Sequence, residues 1–266
     1  MNFLVLGDIF PSALPFLKKK IPSIIKKNKI DFVIANGENA GKNGMGITKK
    51  IAENLFKLGI NVITSGNHIW HYKEILDYID NENRLLRPAN MSNDLPGSGH
   101  GIYKFKDMKI CVINLMTNVH MPKCNNVFQA ANALKKKFIL KKNVDFIIVD
   151  IHGEYAAEKM ALGHLFDGKV TSVFGSHTHI PTADQMILSK GTSYQTDLGM
   201  CGDYNSVIGL KKKIYLKKML NRKNLSRNSP SMGKASICGS IINADKKTGL
   251  TKRIDQLIIG ENLKKI

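Results

Sequence analysis

Short apolar runs alternate with helical stretches up to about residue 180, and that rhythm restricts the chain to few folds. Runs at 3–7, 32–35, 62–64, 110–115, 146–149 and 171–174 are β-branched or aromatic and bounded by Gly or polar residues, which predicts buried strands. Between them, segments 14–29, 47–58, 72–79, 127–140 and 156–166 carry helical spacing. Leu17, Ile21, Ile24 and Ile25 share one face of the first, and Thr48 is placed to cap the second. Strand, helix and strand in repeated order predict an α/β fold. Beyond residue 182 the texture changes: 183–188, 193–196, 235–243 and 253–259 read as strands joined by short turns, a more antiparallel half. No linker, repeat or low-complexity tract divides the chain. We expect one domain over 1–266, with a basic insertion or flexible segment near 211–234.

The residues just after each strand narrow the chemistry. The first strand ends in Gly7-Asp8, the second in Asn36-Gly37-Glu38-Asn39 and the third in Ser65-Gly66-Asn67-His68. The fifth ends in Asp150-Ile151-His152-Gly153-Glu154 and the sixth in Gly175-Ser176-His177-Thr178-His179. In α/β sheets, loops at the strands' carboxyl ends converge on one crevice where ligands bind. Carboxylate, amide oxygen and neutral imidazole together suit a divalent metal such as manganese, iron or zinc. Asp8, Glu38, Asn39, Asn67, His152, His177 and His179 are too many ligands for one ion. Two ions sharing a carboxylate accommodate them and clamp a phosphoryl group. His68 is then left over beside Asn67, where a general acid belongs. His71, His100, His120 and His164 lack this context. Trp70 reads as a packing residue beneath the His68 loop, and Cys111, Cys124, Cys201 and Cys238 as buried small apolar groups.

Charge enters as a competing signal. Forty basic against 21 acidic residues give +19, which invites a nucleic-acid reading. Only five of the forty are Arg, the residue best suited to bidentate phosphate contacts. Nine Lys/Arg and no acid fall within 211–234, so the excess is local. Spaced cysteines without a CxxC pair predict reduced thiols and a cytoplasmic protein. No run has the length of a membrane span.

The motif order GD, GEN, GNH, H and GxHxH resembles the calcineurin-like metallophosphoesterase superfamily. The strings DFVIANGENA, GINVITSGNHIWHYKEI, RPAN, GSHTHIPTAD and GTSYQTDLGMCGDYNSVIG are similar to the YmdB-like bacterial metallophosphoesterases. The resemblance implies a four-layer α/β/β/α sandwich of two sheets flanked by helices. It implies Asp8, Glu38, Asn39 and His179 on one metal, and Glu38, Asn67, His152 and His177 on the other, with Glu38 bridging. It further implies iron or manganese, with zinc or magnesium as alternatives, and phosphodiesterase activity on substrates that include 2′,3′-cyclic nucleotides. Hydroxide attack with His68 as acid, and a homo-oligomeric state, belong to the same resemblance. The chain departs from the family pattern at Phe10, His71, Asn118 and Gly153, which touches substrate preference rather than the ligand set. Two other readings use the same residues differently. One is an RNA-associated regulatory protein acting through 211–234. The other is a phosphomonoesterase or nuclease with the same metal site.

Overall fold

The computed structural model describes residues 1–221 and 229–263. Its strands form two sheets. The first is built from β1 (Asn2–Leu6), β2 (Asp8–Ile9), β3 (Phe32–Asn36), β4 (Val62–Thr64), β11 (Met200–Asp203), β12 (Ala235–Ala244) and β13 (Thr251–Ile259). The second is built from β5 (His100–Phe105), β6 (Met108–Met116), β7 (Phe146–His152), β8 (Ser172–Ser176), β9 (Met186–Ile187) and β10 (Ser193–Gln195). Parallel pairs β1–β3, β3–β4, β6–β7 and β7–β8 form the centres, as the strand–helix rhythm predicts. The late antiparallel half also holds: β12 lies against β1, with Leu6 opposite Gly239, and against β13 on its other side.

Period-two alternation explains why the sheets stack. Phe3, Val5, Phe32, Ile34 and Val62 of the first sheet meet Ile110, Val112, Phe146, Ile148 and Phe174 of the second in one buried layer. Their neighbours point outward. Leu4, Leu6, Val33 and Ala35 pack under α1 (Leu14–Asn28), α2 (Lys49–Lys57) and α3 (Glu74–Asn81). Ile113, Leu115, Ile147, Val149 and Ile151 pack under α4 (Val127–Lys137) and α5 (Ala156–Phe166). Helices, sheet, sheet, helices is therefore the layer order, as the resemblance implies. Thr48 caps α2, accepting the Ile51 N–H at 3.3 Å.

Some local expectations change. The run at 183–188 shrinks to Met186–Ile187, because Thr182 and Asp184 bond the 195–197 backbone and side chains instead of a neighbouring strand. His100–Phe105 is an edge strand with one side in water, so its alternation with Lys and Gly hides it in sequence. In the basic stretch, Lys212–Leu220 form α6 with no buried residue, and 222–228 lie outside the described residues. Trp70 packs against the outer core of the first sheet, as expected. Cys111, Cys201 and Cys238 are buried, whereas Cys124 is half-exposed and accepts amide N–H groups from Asn90 and Asn118. Among the described residues no helix is long and apolar enough to cross a membrane.

Candidate metal centre

The apolar layer between the sheets turns polar toward the carboxyl ends of its strands, without leaving the same face. On β7 the inward series Phe146, Ile148 continues as Asp150 and His152. On β3, Phe32 and Ile34 continue as Asn36. Asp150 gathers this layer. It accepts Thr64 Oγ1 at 2.5 Å, Asn36 Nδ2 at 3.1 Å and Ser176 Oγ at 2.8 Å, so it links both sheets. Burial pushes its carboxyl up to about 6 even so.

This layer fixes the histidine tautomers, here assigned from the hydrogen-bond network. Ser176 spends its one proton on Asp150, so it accepts from His152 Nδ1–H at 3.0 Å. Burial holds His152 neutral, well below its ordinary titration range. Its Nε2 therefore carries a bare lone pair. That atom lies 2.9 Å from Glu38 Oε2, 3.0 Å from His177 Nδ1 and 3.3 Å from Asn67 Oδ1. The close His152–Glu38 approach is thus no ion pair. His177 Nε2 faces Glu154 Oε2 at 3.4 Å, which leaves Nδ1 for the centre. His179 donates Nδ1–H to the Ile208 carbonyl at 3.0 Å, which leaves Nε2 free. Burial lowers His179 and takes His177 down to about 2, so all three rings offer lone pairs.

The oxygens tell the same story. Asn39 donates Nδ2–H to the Gly44 carbonyl at 2.9 Å, and its Oδ1 has no partner. Asp8 Oδ1 and Glu38 Oε2 are likewise buried without a hydrogen bond. Burial pushes the Glu38 carboxyl up to about 7; burial, then the charges of Asp197 and Glu38, raise Asp8 well above the carboxylate range. Convergent acceptors with no donor are costly unless a cation sits among them. Glu38, His152 and His177 bring donor atoms within 4.8 Å of one another. The residues present therefore fit a divalent metal.

A buried ion pair positions the loop that carries two of these histidines. Lys159 on α5 donates Nζ–H to Asp197 Oδ2 at 2.9 Å and to the Ser176 carbonyl at 2.8 Å. Asp197 also accepts the N–H groups of Thr178 and Gly199. Burial alone would raise Asp197, but Lys159 and these donors hold it below its usual range. His177 N–H donates to Asp8 Oδ2 at 3.0 Å, tying the two sheets together. Between these anchors His177 and His179 adopt φ of 100° and 67°, a region that non-glycine residues enter at a cost. Gly66 serves differently: a Cβ there would fall 1.7 Å from Glu38 Oε2, so only glycine lets the Asn67 loop pass.

The fold thus brings Asp8, Glu38, Asn67, His152 and His177 into one contact network. Glu38, Asn39, His68, His177 and His179 line a cavity of about 300 Å³ above it. His68 Nε2 stands 3.9 Å from Glu38 Oε1, with 37% of its side chain exposed. His71, His120 and His164 are exposed, and His100 packs on Phe138, so none joins. Two departures acquire local reasons. Phe10 sets its ring edge-on to His179 at 5.0 Å, and Gly153 leaves room for Thr117, whose Oγ1 would lie 1.8 Å from a Cβ. Sequence reasoning missed Asp150, Lys159 and Asp197 as supports. Lys159 did carry a signal, since it occupies an apolar stripe with Leu162, Gly163 and Phe166.

The sandwich recurs in a 5′-nucleotidase precursor from Thermus thermophilus, at TM-score 0.58 and 9% identity, covering 98% of this chain and 54% of that one. At that identity the likeness shows the fold alone. The class is shown by relatives of higher identity: the protein is a metallophosphoesterase of the calcineurin-like type, an enzyme. The family is narrower still. The chain belongs to the YmdB-like protein family, whose profile matches residues 4–257. A Bacillus subtilis (strain 168) relative named 2′,3′-cyclic-nucleotide 2′-phosphodiesterase is 37% identical over 264 residues, covering 98% of both chains. A Mycoplasma pneumoniae crystal structure described as a novel phosphatase superposes with TM-score 0.90 at 33% identity, covering 98% of this chain and 93% of that one.

Proposed function

We propose that this protein is a dinuclear-metal phosphodiesterase that opens 2′,3′-cyclic nucleotides, with His68 as general acid. The observation that carries the reading is the convergence of bare acceptors: Glu38 Oε2, Asn39 Oδ1, Asp8 Oδ1 and the free nitrogens of three neutral imidazoles. Asp8, Glu38, Asn39 and His179 would hold one ion, and Glu38, Asn67, His152 and His177 the other. Manganese or iron suits this oxygen and nitrogen set. When bound, the ions supply Lewis-acid activation of water and of the phosphoryl oxygens.

The chain's own groups do the rest. Asp150 and Ser176 hold His152 in one tautomer. Lys159 and Asp197 fix the loop of His177 and His179. His68, half-exposed at the cavity wall, holds a proton at Nε2 for the departing ribose oxygen. The relative named as a 2′,3′-cyclic-nucleotide phosphodiesterase supports the substrate class. Four free thiols support a cytoplasmic location.

The test is metal analysis followed by hydrolysis of bis-p-nitrophenyl phosphate and 2′,3′-cyclic AMP, with and without chelator. Chelation abolishes activity and manganese restores it, with two ions per chain. His68→Ala lowers turnover by roughly 10²–10⁴ with metal content kept. Full turnover in that variant would remove His68 from the mechanism. Hydrolysis of phosphomonoesters with inert cyclic nucleotides would move the enzyme to the phosphatase reading.

A further inference from the structure

The cavity above the centre has a lining of two chemical kinds. Its floor, the candidate centre with Glu38, Asn39 and the imidazoles, is polar, whereas the wall residues Met45, Ile208 and Leu210 are apolar. One wall residue has an unusual backbone. Ile208 has φ 46° and Gly209 φ 88°. Val207 N–H bonds the Leu210 carbonyl at 3.0 Å, and Leu210 N–H returns to Val207 at 2.8 Å. Residues 207–210 are therefore a tight two-residue hairpin loop with both central residues at positive φ. That turn selects Asn-Gly or Asp-Gly, and a β-branched residue at its first central position is strained.

The backbone role of this residue does not explain an isoleucine. The Ile208 carbonyl accepts His179 Nδ1–H, but asparagine would present the same carbonyl from a relaxed turn. Asparagine lacks only the apolar side chain. The residue is 38% exposed and lines the cavity, so neither burial nor core packing accounts for that side chain. Strain kept at a ligand cavity points to contact with the ligand.

We propose that Met45, Ile208 and Leu210 form a subsite for the base of a single nucleotide, with Ile208 kept in a strained turn for its side chain. This inference rests on the phosphodiesterase reading for the identity of the phosphate held at the floor. A cavity of about 300 Å³ lies at the low end for small ligands and has room for one nucleotide, not a strand. Phe10, the one aromatic side chain of the described lining apart from the imidazoles, is 1% exposed and faces His179, so it is not available for stacking. The base meets aliphatic side chains, which cover its face without reading its edge. Purine and pyrimidine substrates are therefore treated alike, while a substrate without a base is disfavoured.

The test uses the metal-loaded full chain and Ile208→Asn, with Met45→Ser as a second variant that leaves the turn intact. Ile208→Asn raises Tm by about 2–4 °C, because turn strain is relieved. In calorimetry both variants bind adenosine 3′-monophosphate about tenfold more weakly, while inorganic phosphate binds within about twofold of wild type. In turnover, KM for 2′,3′-cyclic AMP and 2′,3′-cyclic CMP rises together, and kcat falls far less than KM rises. Unchanged adenosine 3′-monophosphate affinity in both variants overturns the subsite. So does equal loss of nucleotide and phosphate, which would mean a damaged floor. If cyclic nucleotides are inert but the base-dependent binding loss is seen, the subsite stands and the phosphodiesterase reading falls. If they are hydrolysed with a KM indifferent to both Ile208→Asn and Met45→Ser, the reverse holds.

Discussion

Two groups of buried charge lie side by side and are handled in opposite ways. Lys159 and Asp197 form a closed set: Nζ has two acceptors, and the carboxylate has Lys159 and two backbone N–H donors. Asp8, Glu38 and Asn39 form an open one, each with a buried oxygen that has no hydrogen bond. The closed set lacks nothing and holds backbone in place. The open set concentrates acceptors that repel one another, which is useful only to a cation. Satisfaction of lone pairs therefore separates support from function where residue type alone does not.

Breaking the closed set has the largest expected effect on stability. Asp197→Asn strands the buried Lys159 charge and costs about 3–5 kcal/mol in urea unfolding of metal-free protein. Replacing both partners, Lys159→Met with Asp197→Leu, recovers much of that loss. A single variant costing under about 1 kcal/mol would erase the distinction between the two sets. The open set responds with the opposite sign. The Glu38 pKa rises on folding from an ordinary value to about 7, so the ionised carboxylate opposes folding increasingly as pH rises through that interval. At pH 8, Glu38→Gln stabilises the metal-free chain by about 1–3 kcal/mol, while lowering metal content. Destabilisation of the metal-free variant would contradict the argument.

Metal affinity sharpens the same contrast. Below pH about 7 the Glu38 proton must be displaced, so affinity falls at least about tenfold per pH unit. The histidines add little, because burial already keeps them neutral. Competition against a chelator between pH 5.5 and 7 measures the slope, and a flat profile would count against Glu38 as a ligand. Exposed charge should matter least. Lys217→Gln with Lys218→Gln on α6, where nothing is buried, changes kcat/KM by less than about threefold at physiological salt. A much larger drop, confined to RNA fragments, would revive the basic helix as a substrate-binding face.

Much of this was legible in the sequence because strand and ligand share one local code. An apolar run leading into Gly and a carboxylate, amide or imidazole marks both the strand and its functional end, as at Gly7-Asp8 and Gly66-Asn67-His68. The supports were harder to read because they act across distance. Asp150 reads as one more loop-end acid until Thr64 and Asn36 of the other sheet are seen bonding to it. Asp197 finds Lys159 across 38 positions. The left-handed turn at Ile208 has no sequence signature, since isoleucine is the residue such a turn avoids. Local patterns are encoded by neighbours, whereas pairings are encoded only by the fold.

The place of β12 has a consequence for the order in which the protein is made. Leu6 pairs with Gly239, so the strand that aims Asp8 borders one synthesised much later. Asp8 is synthesised long before β12, and the sheet that holds it is incomplete until β12 emerges. The site is thus complete only after β12 has emerged, so a metal ion would meet the whole set of candidate ligands only then.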